Sequence, residues 1–287
     1  MRIAAPAVAP YTARLLGTVV NAMVRSILLF TCIMVCSCAT VAPPPPQARA
    51  ELAAAGKLRA AINLGNPVLA QKDAATGEPR GISVDLAREL AKRLEVPVEF
   101  VVFDAAGKVF ETLQTNSWDV AFFAVDPARA TEIAFTAPYV VIEATYLVRT
   151  ESPLRTIEDV DRDGVRVAVG SKSAYDLYLS RTLKRAQLVR APTSPAAIEM
   201  FLHEILEAAA GVKQALVAFA RTHSDLRVID GRFMAIEQAM GTPKRNAAGA
   251  QYLRQFIEET KKSGFIAKGL ERSGQGDATV APPAPDQ

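Results

Sequence analysis

The chain has 287 residues, of which 50% are hydrophobic and 22% are charged, a composition that excludes a disordered chain and repeated membrane spans. Its length allows one large domain or two modest lobes. The formal charge of +3 comes from an N-terminal segment of 37 residues that holds Arg2, Arg14 and Arg25 and no acid; without these three, 30 of the 33 basic residues remain, against 30 acidic ones. This balance gives no reason to expect a nucleic-acid partner.

Cysteine and histidine are scarce. Cys32, Cys36 and Cys38 lie in one short stretch, so no disulfide or thiolate metal site is possible after Cys38. The two histidines, His203 and His223, poorly supply a zinc site or a Ser–His–Asp triad. We therefore expect no cofactor and no metal.

The N-terminus reads as an export signal over residues 1–37. Arg25 precedes the apolar run Ser26–Val35, which is too short to span a bilayer comfortably and suits the core of a signal peptide. Met23 is a more natural start than Met1, in which case residues 1–22 are not translated.

Val35-Cys36-Ser37-Cys38 resembles a bacterial lipobox, in which the last cysteine is lipidated. Cys36 is unusual at its position, and a plain signal peptide or an uncleaved anchor remains an alternative. Lipidated Cys38 would tether a periplasmic protein to a membrane. Residues 38–50 would be a proline-rich spacer, and residues 274–287 a disordered tail.

Strand and helix patterns alternate in the first part of the remaining chain. The predicted elements are a strand at Lys57–Leu64, a helix at Gly81–Leu94, a strand at Pro97–Phe103, a helix at Gly107–Thr115, a strand at Trp118–Phe123 and an extended run at Glu143–Arg149. This alternation favours an α/β fold with mostly parallel strands.

A second alternating set follows. Its predicted elements are strands at 165–169, 187–190, 206–210 and 226–229, helices at 174–184, 195–202 and 212–221, a return crossing at 232–237, and closing helices at 247–262 and 265–272.

Several short motifs occur in a fixed order along this alternating region. They are Gly81-Ile82-Ser83-Val84-Asp85-Leu86, Trp118-Asp119-Val120, Asp126-Pro127-Ala128-Arg129 and Phe135-Thr136-Ala137-Pro138-Tyr139. In order and spacing, residues 52–273 resemble the bacterial extracellular solute-binding proteins that serve polar amino-acid ABC importers.

The resemblance implies a type II periplasmic-binding fold, in which two mixed, mostly parallel sheets are joined by two hinge crossings. Lobe one would comprise residues 51–148 plus 235–273, and lobe two residues 149–234. A small anionic or zwitterionic ligand would bind in the cleft of a monomer, and an inner-membrane ABC permease would receive it.

Arg129 is the leading candidate for ligand binding. The matching arginine of the family pairs with the ligand carboxylate, and a guanidinium offers a planar fork for two carboxylate oxygens. A surface arginine paired with Asp126 or Glu132 is the alternative. Asp126 stands where the family has Thr or Ser, and could steady Arg129 or bind a ligand cation.

Other candidates surround this anchor. Ser173 is the expected N-cap of a helix whose N-terminus would face the anion, and it could equally be a simple cap. Lys172 could add positive charge. Asn63 and Asn66 follow the first strand, where the family often has aromatic residues, and supply either hydrogen bonds or turn chemistry.

The aspartate that binds the ligand amine in the family has no counterpart in Ala210-Gly211-Val212-Lys213. Glu143 is the leading substitute, ahead of Glu237 and Asp126, and a solvated rim position is its alternative. Two other functions remain open: an enzyme on the same fold, such as a periplasmic cyclohexadienyl dehydratase, and a ligand sensor for a membrane receptor.

Overall fold

The computed structural model of the protein describes Met1 and residues 43–285. The predicted signal peptide, residues 1–37, and the predicted lipidation site, Cys38, lie outside this range apart from Met1. Among the residues described, no helix combines the length and the apolar character needed to cross a membrane.

Helices and strands alternate along most of residues 43–285. The helices are α1 (Pro46–Leu52), α2 (Ile82–Arg93), α3 (Ala106–Glu111), α4 (Ala174–Thr182), α5 (Ser194–His203), α6 (Lys213–Ala220), α7 (Ala247–Lys262) and α8 (Phe265–Arg272). The strands are β1 (Leu58–Asn63), β2 (Gln71–Lys72), β3 (Pro79–Arg80), β4 (Val98–Phe103), β5 (Val120–Ala124), β6 (Ile133–Phe135), β7 (Val140–Arg149), β8 (Arg166–Gly170), β9 (Gln187–Ala191), β10 (Ala208–Val212), β11 (Leu226–Val228), β12 (Met234–Pro243) and β13 (Thr279–Val280).

One mixed sheet runs through the molecule in the order β4-β1-β5-β12-β7-β10-β8-β9. Strands β4, β1 and β5 are parallel and form what we call the first half-sheet; β10, β8 and β9 are parallel and form the second half-sheet. Between them β12 and β7 run antiparallel to each other and to their outer neighbours. The predicted α/β class is therefore confirmed, with two long strands crossing between two parallel halves.

The core forms because helices pack one apolar face against these strands. Helix α2 buries Ile82, Leu86 and Leu90, which share one face at helical spacing. Helix α7 buries Leu253 and Phe256 in the same way. Each such side chain contributes about 2 kcal/mol by leaving water. This packing fixes the strand ends, where the site lies.

The first segment that departs from expectation is α1, which overlaps the predicted spacer 38–50. Pro46 starts this helix at a position where its missing N–H costs nothing. Ala48 and Leu52 are fully buried, and the helix packs on α7. The proline content predicted a spacer, but Ala48 and Leu52 form an apolar face that is enough to hold the segment as a helix against α7.

The second is the C-terminal segment, predicted to be disordered from residue 274. Thr279 and Val280 pair with Val141 and Val140 of β7, along the edge that continues beyond β10. The Ala281 N–H donates to the Tyr139 carbonyl at 3.1 Å. Small apolar residues between the prolines thus complete a free strand edge, and the prediction of disorder is wrong as far as residue 285.

Candidate functional site

A narrow cavity lies where the two half-sheets meet. Its walls come from the loop after β1, the end of β5, Arg129, the turn between β8 and α4, the start of α5, the end of β10, and β12. The free volume open to water is about 40 Å³, roughly the room of three water molecules. Strand ends and helix N-termini converge here, as at other α/β binding sites.

Arg129 is the central side chain of this cavity, and it is only 2% exposed. Its Nη1 donates to the Ala124 carbonyl at 3.1 Å, and its Nη2 donates across the cavity to the Lys172 carbonyl at 2.8 Å. The guanidinium also lies 5.4 Å from the ring centre of Phe123. These contacts hold the fork in one orientation and leave further N–H donors for a ligand.

No carboxylate forms an ion pair with Arg129 among the residues described. Burial lowers the pKa of Arg129 from its ordinary value to about 10, and the nearby charge of Asp126 offsets only part of this effect. The guanidinium remains charged at neutral pH. A buried cation held by neutral carbonyls is a site that favours an anion.

Asp126 does not pair with Arg129. Its Oδ1 accepts the Ala128 N–H at 2.9 Å, and its Oδ2 accepts from Arg181 Nη2 at 2.9 Å. Arg181 belongs to α4, on the opposite side of the cavity. Asp126 therefore joins the two sides, and both of its oxygens are occupied by protein donors.

Ser173 caps α4, as predicted: its Oγ accepts the Asp176 N–H at 3.1 Å. The Ala174 and Tyr175 N–H groups in the first turn have no hydrogen-bond partner within residues 43–285. Both residues line the cavity that contains Arg129. A helix N-terminus and a buried guanidinium thus share one small space.

Lys172 contributes its backbone rather than its charge. Its ammonium pairs with Glu111 at 2.6 Å, outside the cavity, and more than half of its side chain is exposed. Its carbonyl accepts from Arg129, and its N–H donates to Asp176 at 2.7 Å. The residue has φ 55°, a left-handed conformation that aims the carbonyl at Arg129.

Asn63 and Asn66 both line the cavity. Their Oδ1 atoms accept from the N–H groups of Gly65 and Val68, at 2.9 and 3.3 Å. The carboxamide oxygens thus shape the turn after β1, and the amide nitrogens have no partner within residues 43–285. Both roles that the sequence left open, turn chemistry and hydrogen bonding to a ligand, are compatible with this geometry.

Glu143 lies away from this cavity. Its carboxylate accepts from Lys213 at 2.9 Å and from Arg232 at 2.8 Å, beside a separate cavity between β7 and α6. The hydrogen bond from Lys213 and the one from Arg232 lower the pKa of Glu143 despite some desolvation. The structure therefore gives Glu143 a hinge ion pair in place of the expected contact with a ligand amine.

Sequence reasoning missed most of the other lining residues, among them Val212, Thr193, Ser194 and Gln238. Thr193 caps α5 by accepting the Ala196 N–H at 3.2 Å. The sequence Thr193-Ser194-Pro195 is typical of a helix start, with Thr as N-cap and Pro in the first turn. It could have predicted a second helix N-terminus at the cleft. Gln238 is 4% exposed on β12, where no sequence signal distinguishes cavity from core.

Among the residues described, no group of three or more His, Cys, Asp or Glu side chains is placed to hold a metal ion. The cavity around Arg129 is lined by no Asp, Glu, His, Cys or Lys side chain in that same part of the chain. Its chemistry is that of one fixed cation, neutral amides, hydroxyls and backbone N–H groups.

Solved structures share this architecture. Holo ArgBP from T. maritima superposes with a TM-score of 0.65 at 24% identity, covering 77% of this chain and 97% of that chain. The cysteine-binding protein from Campylobacter jejuni gives 0.68 at 19% identity, covering 78% and 92%. The ancestral amino acid-binding protein AncCDT-1, a precursor of cyclohexadienyl dehydratase, gives 0.67 at 23% identity, covering 78% and 98%. These likenesses establish the fold.

Sequence relatives point the same way. The amino-acid-binding protein AabA of Dichelobacter nodosus is 21% identical over 195 residues, which is 66% of this chain and 77% of that protein. Residues 58–274, well over half of the chain, match a single family model. The chain belongs to the bacterial extracellular solute-binding proteins, family 3.

Proposed function

We propose that this protein captures a small carboxylate-bearing ligand, an amino acid or an analogue, in the cavity around Arg129 and delivers it to an inner-membrane ABC permease. It would act as a monomer in the periplasm, tethered through lipidated Cys38. The observation that carries the proposal is the buried, acid-free guanidinium opposite the open first turn of α4. The binding proteins among its relatives support an amino-acid-like ligand.

Closure would follow from contacts that already link the two sides of the cavity. Arg129 bonds the Lys172 carbonyl, Asp126 pairs with Arg181, and Lys172 pairs with Glu111. A ligand carboxylate at Arg129 would also accept hydrogen bonds from the open N–H groups in the first turn of α4. The ligand would then favour the closed form by binding both sides at once.

A binding role fits better than catalysis. An enzyme of this fold would need a general acid or base at the ligand, and the described residues lining the cavity include no carboxylate, histidine or cysteine. Turnover of prephenate or arogenate by the purified protein would contradict this interpretation.

A thermal-shift screen of the purified protein against amino acids, other carboxylates and sulfonates tests the anchor. A ligand at 100 times its dissociation constant adds about 2.7 kcal/mol to stability. Arg129→Lys keeps a cation but loses the planar fork, and we expect it to bind the hit at least about tenfold more weakly. Unchanged affinity in this variant would refute the anchor.

Delivery and tethering need separate tests. Uptake of the radiolabelled hit should fall in cells that lack this gene, and uptake should be unaffected if the protein serves a sensor. Mass spectrometry of the membrane fraction, with Cys38→Ala as control, tests the lipid.

A further inference from the structure

A second, apolar cavity lies beside the one that contains Arg129. It is walled mainly by Pro67, Pro195, Ile198, Leu216 and Phe219, and its free volume is about 220 Å³. An apolar cavity of about 150 Å³ is large enough to hold benzene. This space can therefore accept a phenyl ring or a branched alkyl group.

The two cavities adjoin. Gly65, Tyr175, Ser194 and Val212 line both of them. The Tyr175 hydroxyl donates to Ser194 Oγ, so the two polar groups on the shared wall satisfy each other. A ligand whose carboxylate lies at Arg129 can extend its body across this wall into the apolar cavity.

Among the described residues, neither cavity offers a buried counter-charge for an ammonium group. Glu199 is the one acid among the described residues that line them, and its side chain is 59% exposed at the rim of α5, facing His203. The carbonyls of Ala124 and Lys172 already accept from Arg129. Burying an ammonium group here with no carboxylate of the protein beside it would cost several kcal/mol.

Val212 occupies the point where the cavities meet. It ends β10, precedes α6 and is 8% exposed. The charged residue that follows it, Lys213, turns away to Glu143. Among the described residues, the wall shared by the two cavities thus carries no charged side chain.

Resting on the proposed function, we propose that the preferred ligand is a monocarboxylate with a phenyl or branched alkyl body and no cationic amine. Arg129 and the first turn of α4 hold the carboxylate. The apolar cavity lined by Leu216 and Phe219 holds the body. Val212 disfavours the α-ammonium group of an amino acid, because that group would lose its water without gaining a counter-charge.

Calorimetry with matched pairs tests this inference on the unmodified protein. The pairs are 3-phenylpropionate with L-phenylalanine, and 4-methylpentanoate with L-leucine. We expect each amine-free acid to bind at least tenfold more tightly than its amino acid. Equal or tighter binding of either amino acid overturns the inference, while leaving Arg129 as anchor if Arg129→Lys weakens that binding too. Binding of none of the four overturns it as well, and the proposed function then depends on the wider screen.

Val212→Asp supplies the missing counter-charge. We expect it to gain affinity for L-phenylalanine by at least tenfold and to lose affinity for 3-phenylpropionate by a similar factor. Val212→Asn has the same shape without the charge and should gain neither. If Val212→Asn gains as much as Val212→Asp, charge is not the reason for the selectivity, and the inference is overturned. The pairs on the unmodified protein remain decisive should either variant fail to fold.

Discussion

Arg129→Met separates binding from stability. Methionine has a similar length and no charge, so it fills the buried space while removing the guanidinium donors from the cavity. Truncating one partner of a buried, hydrogen-bonded charge pair costs about 2–5 kcal/mol of binding energy. We therefore expect the affinity for a carboxylate ligand to fall by at least about 30-fold.

The free protein should respond far less. Burial lowers the pKa of Arg129 to about 10, so the native state carries a desolvation penalty of about 3 kcal/mol. This penalty is fully present below pH 10 and declines as the pH rises above that value. Methionine removes the penalty but also removes the hydrogen bonds to Ala124 and Lys172, each worth about 1.5–3 kcal/mol. The two effects nearly cancel.

Calorimetry and thermal melts of the free protein measure the two quantities. A net change within about 2 kcal/mol shifts Tm by no more than about 8 °C. Arg88→Met is the matched control, because Arg88 is an exposed arginine that lies over Phe100, away from the cavity. Binding within threefold of the unmodified protein would refute the anchor. A Tm drop well beyond 8 °C would refute the energetic balance.

Three further variants test the contacts around the cavity. Glu143→Gln should destabilise the protein at pH 7, and the difference in stability from the unmodified protein should vanish as the pH falls below about 4. The lowered pKa of Glu143 stabilises the fold only while the carboxylate is ionised. Urea melts across this pH range measure the difference. Gly107→Ala should weaken ligand binding at least about tenfold, because a Cβ at residue 107 would lie 2.7 Å from Lys172 Cβ on the other side of the cavity. An unchanged affinity would contradict the close approach of the two sides in the ligand-bound protein. Arg181→Ala should weaken ligand binding about fivefold, because it removes the ion pair with Asp126. The loss of affinity should be smaller at high salt, where the ion pair is screened. Calorimetry of ligand binding at two salt concentrations measures both losses.

Periodicity predicted the long elements well. The bounds of α7 and α8 agree with the predicted 247–262 and 265–272, because both helices carry strong apolar faces and Gly264 separates them with φ 73°. Segments stabilised only by tertiary contacts were missed. Helix α1 depends on α7, and β13 depends on the edge of β7, so neither has a local pattern that outweighs its prolines.

The sequence singled out Arg129, which lines the cavity, but not the residues around it. Arg129 could be predicted from its spacing to neighbouring motifs, and the Ser173 cap from its place before a helix. The direction in which the Glu143 side chain points could not be predicted, because a residue on a crossing strand can face either side of the sheet. On β7 the partly exposed Val141 and Glu143 share one face. The segment just before β12 places Arg232 beside that face, and the start of α6 places Lys213 there.

The carbonyl of Lys172 explains how closure and ligand binding can be linked. Its φ of 55° aims it at Arg129, so a neutral oxygen occupies one guanidinium donor when the cavity is narrow. A carboxylate is a stronger acceptor than this carbonyl, about twofold in bond energy. Under the proposed function, it would accept from the guanidinium donors that Ala124 and Lys172 leave free, while the open N–H groups of α4 supply the second side. The ligand would then be favoured by its charge, and selectivity among carboxylates would depend on what the apolar cavity accepts.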